Sequence, residues 1–183
     1  MSEELLIKHC SPTLAGIKTG SLFSCRFAKE EELKNCIKCW NTLLKKKGLR
    51  ILPVRLKNTS ALIYVYRPVK LCEDLKKESA KKILCDRGYC VESCERCVAT
   101  LIKKVCEEKI FPHEIGLFLG YPPEDVLGFI ENKASGCKTA GCWKVYGDED
   151  AAKKIFKKYK KCTDIYCDKY KKGRSIERLT VAV

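Results

Sequence analysis

The stretch 111–148, FPHEIGLFLGYPPEDVLGFIENKASGCKTAGCWKVYGD, constrains this chain more than any other. It combines a His-Glu pair, two Gly-flanked apolar runs, a double proline, two cysteines and a tryptophan. Its rhythm reads as a strand at 115–119, a turn, a helix at 123–132, a loop at 133–141 and a short strand at 143–146. Pro123 suits the first helical turn, and Glu124 and Asp125 suit the positive end of the helix dipole there.

The flanking segments are mostly Lys-rich helix. Residues 1–9 read as a short helix, broken by His9, Cys10, Ser11, Pro12 and Thr13, and 22–27 as a strand. In 29–47 Leu33, Cys36 or Ile37, Trp40 and Leu43 or Leu44 recur at helical spacing, and Gly48 stops the pattern. Segments 49–57 and 61–67 read as hairpin strands turning at Asn58, Thr59 and Ser60, with Pro53 placing the first on an edge or at a bulge. Helices follow at 69–86 and 91–108, the second with a seam of Val91, Cys94, Val98, Leu101 and Val105. Asp148 caps a helix over 149–172, Gly173 ends it, and 176–183 reads as a last strand. The expected fold is therefore α+β: one domain over 1–183, with a mixed sheet of about five or six short strands covered by about four or five helices. The only candidate boundary lies near 109–111.

At 183 residues the chain can bury roughly 70% of its extended-state surface, so folding requires neither metal nor disulfide. The acidic start, MSEELLIKHCSP, lacks the apolar core of a signal peptide, and no run approaches the ~18 apolar residues of a spanning helix. The sequence reads as cytoplasmic, with no membrane partner. A net charge of +14 favours anionic partners, whether a small anionic ligand or nucleic acid.

Several long strings resemble one known family: HCSPTLAGIKTGSLFSC (9–25), LIYVYR (62–67), FPHEIGLFLGYPPEDVLGFI (111–130), CWKVYGD (142–148), YKKCT (159–163) and the closing ERLTVAV. They are similar to domain of unknown function 3793, an uncharacterised family associated with anaerobic Gram-positive bacteria. The resemblance spans nearly the whole chain. It implies a bacterial, anaerobic, cytosolic setting and carries no activity, cofactor or site residue with it.

Fourteen cysteines are the chemistry-bearing excess. Cys36/Cys39 and Cys94/Cys97 are C-x2-C pairs, each half a zinc or iron–sulfur site, but both fall within expected helices and far apart in sequence. Their other reading is as small hydrophobes in helical seams. Cys90, Cys94 and Cys97 also spell the cluster-binding spacing of radical S-adenosylmethionine enzymes, but Arg96 stands where that superfamily usually has an aromatic residue. Cys137 and Cys142 flank a Gly-containing loop, where a metal knuckle forms most easily. They are the first candidates for zinc or iron, which the sequence does not require, or for redox chemistry.

Cys10 is the candidate nucleophile, with His113 as base and Glu114 as its orienting partner. His9 adjoins Cys10 and is a poorer partner. The loop LAGIKTGS presents Lys18 to an anion without the P-loop spacing. Tyr66, Arg67 and Trp143, near strand ends, suit pocket walls. Together these residues give the leading expectation: a Cys-rich protein whose ligand or metal pocket joins 9–25, 111–121 and 137–148, with chemistry there left open. Two alternatives stand beside it. One is a nucleic-acid accessory protein using helix 149–172, with Lys153, Lys157, Lys160 and Lys161 on phosphates. The other is a non-catalytic interaction protein whose cysteines are core packing.

Overall fold

The computed structural model describes residues 1–107 and 110–182. The last residue of the expected helix 91–108, part of the candidate boundary at 109–111 and the last residue of the expected strand 176–183 lie outside them. In chain order the elements are α1 (Glu3–Leu14), β1 (Gly20–Arg26), α2 (Glu30–Leu44), β2 (Arg50–Lys57) and β3 (Ser60–Tyr66). Then come α3 (Pro68–Leu75), α4 (Glu78–Asp86), α5 (Cys94–Glu107), α6 (Ile115–Phe118) and α7 (Pro123–Glu131). The last are β4 (Thr139–Ala140), β5 (Lys144–Val145), α8 (Glu149–Lys171) and α9 (Ile176–Leu179). The described chain forms two compact units, Met1–Val69 with Tyr159–Val183, and Lys70–Lys158.

In the first unit β3 is the centre of an antiparallel sheet ordered β1-β3-β2. Pro53 sits on edge strand β2, at the register shift between Pro53 and Arg55, because a residue without an N–H cannot hold a ladder position inside a sheet. Asn58 takes a left-handed backbone at the hairpin turn, φ 53°. Helix α1 buries Leu6, Ile7, Cys10 and Leu14 in the same core as Phe23, Ile37, Ile63 and Val65. Each such side chain contributes about 1.5–3 kcal/mol by leaving water. The expected break at 9–13 does not occur: the helix runs through Pro12, and the hydroxyl of Ser11 donates back to the Ile7 carbonyl.

The second unit is mainly helical. The expected helix 69–86 is two helices, α3 and α4, parted where Lys77 is extended (ψ 132°). The expected strand 115–119 is instead the single-turn helix α6, closed by Gly120 at φ 77°. The expected strand 176–183 begins as helix α9, which buries Ile176 and Leu179. Mixed helix and strand is thus correct, but one mixed sheet of five or six strands is not. Among the described residues the strands form a three-stranded antiparallel sheet in the first unit and the two-residue ladder β4-β5 in the second.

Candidate functional site

The second unit carries a partly open cavity of about 460 Å³. Its apolar walls are Phe111, Ile115, Tyr121, Val126, Phe129 and Trp143. His113, Lys144 and Asp125 supply its polar lining. Two of the three expected segments, 111–121 and 137–148, therefore meet here with α7. The segment 9–25 belongs to the first unit and supplies none of the described lining.

Asp125 organises this region. It lies in the first turn of α7, is 3% exposed, and its carboxylate accepts three hydrogen bonds. Trp143 Nε1 donates to Oδ2 at 2.7 Å, and the backbone N–H groups of Tyr146 and Gly147 donate to Oδ1 at 2.7 Å each. One side chain thus ties α7 to the segment that carries the tryptophan. Trp143 is then stacked on Tyr121 (4.8 Å, 28°) and meets the edge of Phe156 (4.6 Å, 81°). The Tyr121 hydroxyl donates to the Cys142 carbonyl at 3.1 Å, and burial, followed by nearby Cys142, pushes its pKa up to about 12. That hydroxyl stays neutral, and the ring presents only its apolar face.

Glycines set the wall spacing. A Cβ on Gly116 would stand 2.7 Å from a Val126 methyl, and one on Gly128 would stand 2.5 Å from the Tyr146 ring. At Gly141 a Cβ would collide with the Phe156 ring. The sequence signals turns at such glycines; here they allow rings to approach backbone closely.

His113 is exposed at the cavity, its ring edge-on to Phe129 at 4.9 Å. Glu114 does not orient it. That carboxylate is 2% exposed and accepts from the Tyr89 hydroxyl at 2.9 Å, as a buried carboxylate needs a donor. Lys144 donates to the Ala134 carbonyl at 2.6 Å while lining the cavity.

Cys137 and Cys142 lie at different positions of the β4-β5 hairpin. Cys142 lies at the tip, and Cys137 precedes the first ladder pair, Thr139–Val145. Among the described residues no group of three or more His, Cys, Asp or Glu side chains converges to hold a metal ion.

The expected pocket residues Cys10, His9, Lys18, Tyr66 and Arg67 lie in the first unit. Cys10 is wholly buried, and burial pushes its thiol up to about 12 against the smaller opposite effects of Lys18 and Ser21. Such a thiol stays protonated and packs as a hydrophobe. His9 is exposed and stacked on Phe23 at 5.1 Å, and burial, then Lys8, hold it below the usual histidine range. Lys18 stands over the Tyr159 ring at 5.8 Å. Tyr66 stacks on Tyr64 at 4.6 Å.

Arg67 is a structural clamp. It is 2% exposed and donates to the carbonyls of Thr13 (2.7 Å), Lys47 (3.0 Å), Leu14 (2.7 Å) and Val181 (2.8 Å). It thereby holds the end of α1, the turn after α2 and the C-terminal segment. A guanidinium suits this because its donors point in several fixed directions.

On α8, Lys153 pairs with Glu149 at 2.7 Å, and Lys157, Lys160 and Lys161 are exposed. No helix among the described residues is long and apolar enough to cross a membrane.

The sequence marked Trp143 as a pocket wall and His113 as a base or ligand, and both line this cavity; Asp125 it read only as a helix-dipole acid. It also did not pair Cys72 with Cys94, which are joined as a disulfide. A family model described as a protein of unknown function, DUF3793, matches residues 6–180. No curated protein and no solved structure matches the chain.

Proposed function

We propose, for a chain that belongs to the DUF3793 family and takes no activity from that membership, that it is a cytoplasmic binding protein for a small planar, largely apolar molecule. The observation that carries this reading is the 460 Å³ cavity walled by aromatic rings whose polar atoms are already satisfied within the second unit. Small-molecule sites have this size and this lining, with a few polar groups fixing orientation. His113 and Lys144 are the polar groups that meet the ligand, and Lys144 favours an anionic substituent such as a carboxylate.

The test is a titration with 2-naphthoate, followed by the emission of Trp143 in a Trp40→Phe background. Saturable 1:1 quenching is expected, weakened at least tenfold by Ala140→Phe, which fills the cavity from an exposed position. Naphthalene, lacking the carboxylate, is expected to bind more weakly. Quenching that is linear in probe, or unaffected by Ala140→Phe, would refute the reading.

A second reading rests on α8. At 3.6 residues per turn Lys153, Lys157, Lys160 and Lys161 fall on one side of the helix. Such a face suits phosphates, and binding to single-stranded nucleic acid would weaken steeply with salt. Loss of that binding on charge reversal of Lys157, Lys160 and Lys161 is the expected outcome; unaltered binding in that variant would exclude the face.

A further inference from the structure

The second unit carries a separate thiol cluster. Cys72 on α3 and Cys94, the first residue of α5, are disulfide-bonded with their Cα atoms 5.6 Å apart, within the ordinary span of such a bond. Both are half-buried. They line a cavity of about 260 Å³ with a third cysteine, Cys97, and with Lys76, Ser93 and Glu95. Cys97 is one turn along α5 from Cys94, so the two thiols share a helix face. Its thiol donates to the Cys90 carbonyl at 3.3 Å, and its backbone N–H donates to the Ser93 carbonyl at 3.0 Å, which fixes it there.

Exposed disulfides tend to be reduced more easily than structural ones. This one faces a cavity beside a spare thiol, and it has a built-in asymmetry. Cys94 opens a 14-residue helix, whose N-terminal end favours a thiolate; Cys72 lies late in α3. In thiol–disulfide exchange the sulfur of lower pKa leaves faster. An incoming thiolate therefore attacks Cys72 Sγ and expels the Cys94 thiolate.

We propose that Cys72–Cys94 is a reactive disulfide that oxidises a dithiol, with Cys97 as the alternative partner for Cys94. The first thiolate of the dithiol bonds to Cys72 Sγ, the Cys72–Cys94 bond breaks, and Cys94 leaves with the electron pair. The second thiolate of the dithiol then attacks the sulfur of its own molecule in this mixed disulfide. The dithiol departs as a disulfide, and Cys72 is released as a thiolate. Two electrons pass from the dithiol to the protein, and both cysteine sulfurs take up protons from water. In the internal branch Cys97, whose thiol is held above its ordinary pKa by burial and then by Cys90 and Cys85, first gives up its proton; its sulfur then attacks Cys94 Sγ, forming Cys94–Cys97 and freeing Cys72, which takes up a proton, with no net change in oxidation state. The site is independent of the aromatic cavity.

The experiment is native-state reduction of the full chain by dithiothreitol and, separately, by a reduced protein dithiol of the C-x-x-C class. Aliquots are quenched with N-ethylmaleimide and mapped by mass spectrometry. Reduction of Cys72–Cys94 at least tenfold faster than global unfolding, measured by pulse proteolysis, is expected. Reaction with both reagents assigns a protein dithiol as substrate, and reaction with dithiothreitol alone assigns a small one. Reduction no faster than unfolding would overturn the proposal. In Cys72→Ser, oxidised glutathione is expected to yield a Cys94–Cys97 bond, whereas two unlinked thiols there would remove Cys97 from it. The wild-type kinetic arm stands whether or not the variant folds.

Discussion

Replacing Asp125 by Asn tests whether one carboxylate holds the aromatic site together. The three donors at 2.7 Å are all directed at a side chain that is 3% exposed. An amide keeps one oxygen. That oxygen can still accept from Tyr146 and Gly147, but the NH₂ group then faces the indole N–H of Trp143. One charge-assisted hydrogen bond is lost, worth about 1.5–3 kcal/mol, and a buried donor is stranded at about 1–3 kcal/mol. The expected loss is about 3 kcal/mol for Asp125→Asn, and about 5 kcal/mol for Asp125→Ala, which strands all three donors. With a urea m-value of about 1.5 kcal/mol per M, the Asn variant lowers the midpoint by about 2 M. The assay is urea denaturation followed by Trp143 emission in the Trp40→Phe background. Trp40 Nε1 has no partner among the described residues, so that background removes an indole N–H without breaking a bond. An Asn variant within about 0.5 kcal/mol of its parent, with unchanged Trp143 emission, would refute the reasoning.

Other substitutions separate the remaining claims. Arg67→Lys is expected to cost about 3 kcal/mol, because one ammonium cannot span the carbonyls of Thr13, Lys47, Leu14 and Val181; a neutral result would mean that those carbonyls find other donors. Gly128→Ala within α7 would ordinarily gain about 1 kcal/mol in helix propensity, but the contact with Tyr146 is expected to make it a net loss of about 1–2 kcal/mol by thermal denaturation. Cys10 is expected to resist maleimide in the native state while exposed Cys39 reacts. Its raised pKa has a definite sign. Above the ordinary value of 9.0 the unfolded thiol loses its proton while the folded one keeps it to about 12. The unfolded state then binds fewer protons, so this stabilisation is present below pH 9 and declines as pH rises, by about 1.4 kcal/mol per unit. The stability gap between wild type and Cys10→Ala is expected to narrow by about 2 kcal/mol from pH 7.5 to 10.5; a constant gap would contradict it.

Local rules carried much of the fold. Gly48 and Gly173 end helices with positive φ, the Asp148 carboxylate accepts from the Ala151 N–H at the start of α8, and Pro53 sits on an edge strand at a bulge. The two segments misread as strands share one cause. Ile115–Phe118 and Ile176–Leu179 are four residues each, too short for periodicity to separate one helical turn from a strand. Tertiary packing decided both. Gly116 lies against Val126 and Tyr121, and Ile176, Leu179 and Thr180 bury one helical face. The site was legible where residue type alone marks a wall, as at Trp143. It was not legible where a role depends on a distant donor. Asp125 reaches Trp143, Tyr146 and Gly147 across about twenty residues, Glu114 reaches Tyr89, and Cys72 reaches Cys94. No spacing rule encodes those pairings. Lysines at helical spacing on α8 were legible as a face because 3.6-residue periodicity is itself a sequence property.

The central claim is that the aromatic cavity of the second unit holds a planar ligand, and the most direct measurement is of intermolecular nuclear Overhauser effects between 2-naphthoate and the protein. Contacts from the naphthalene protons to the rings of Phe129 and Trp143 and to the Val126 methyls, lost in Ala140→Phe, are what the account predicts. Contacts confined to other surfaces, or none at saturating probe with the fold intact, would contradict it.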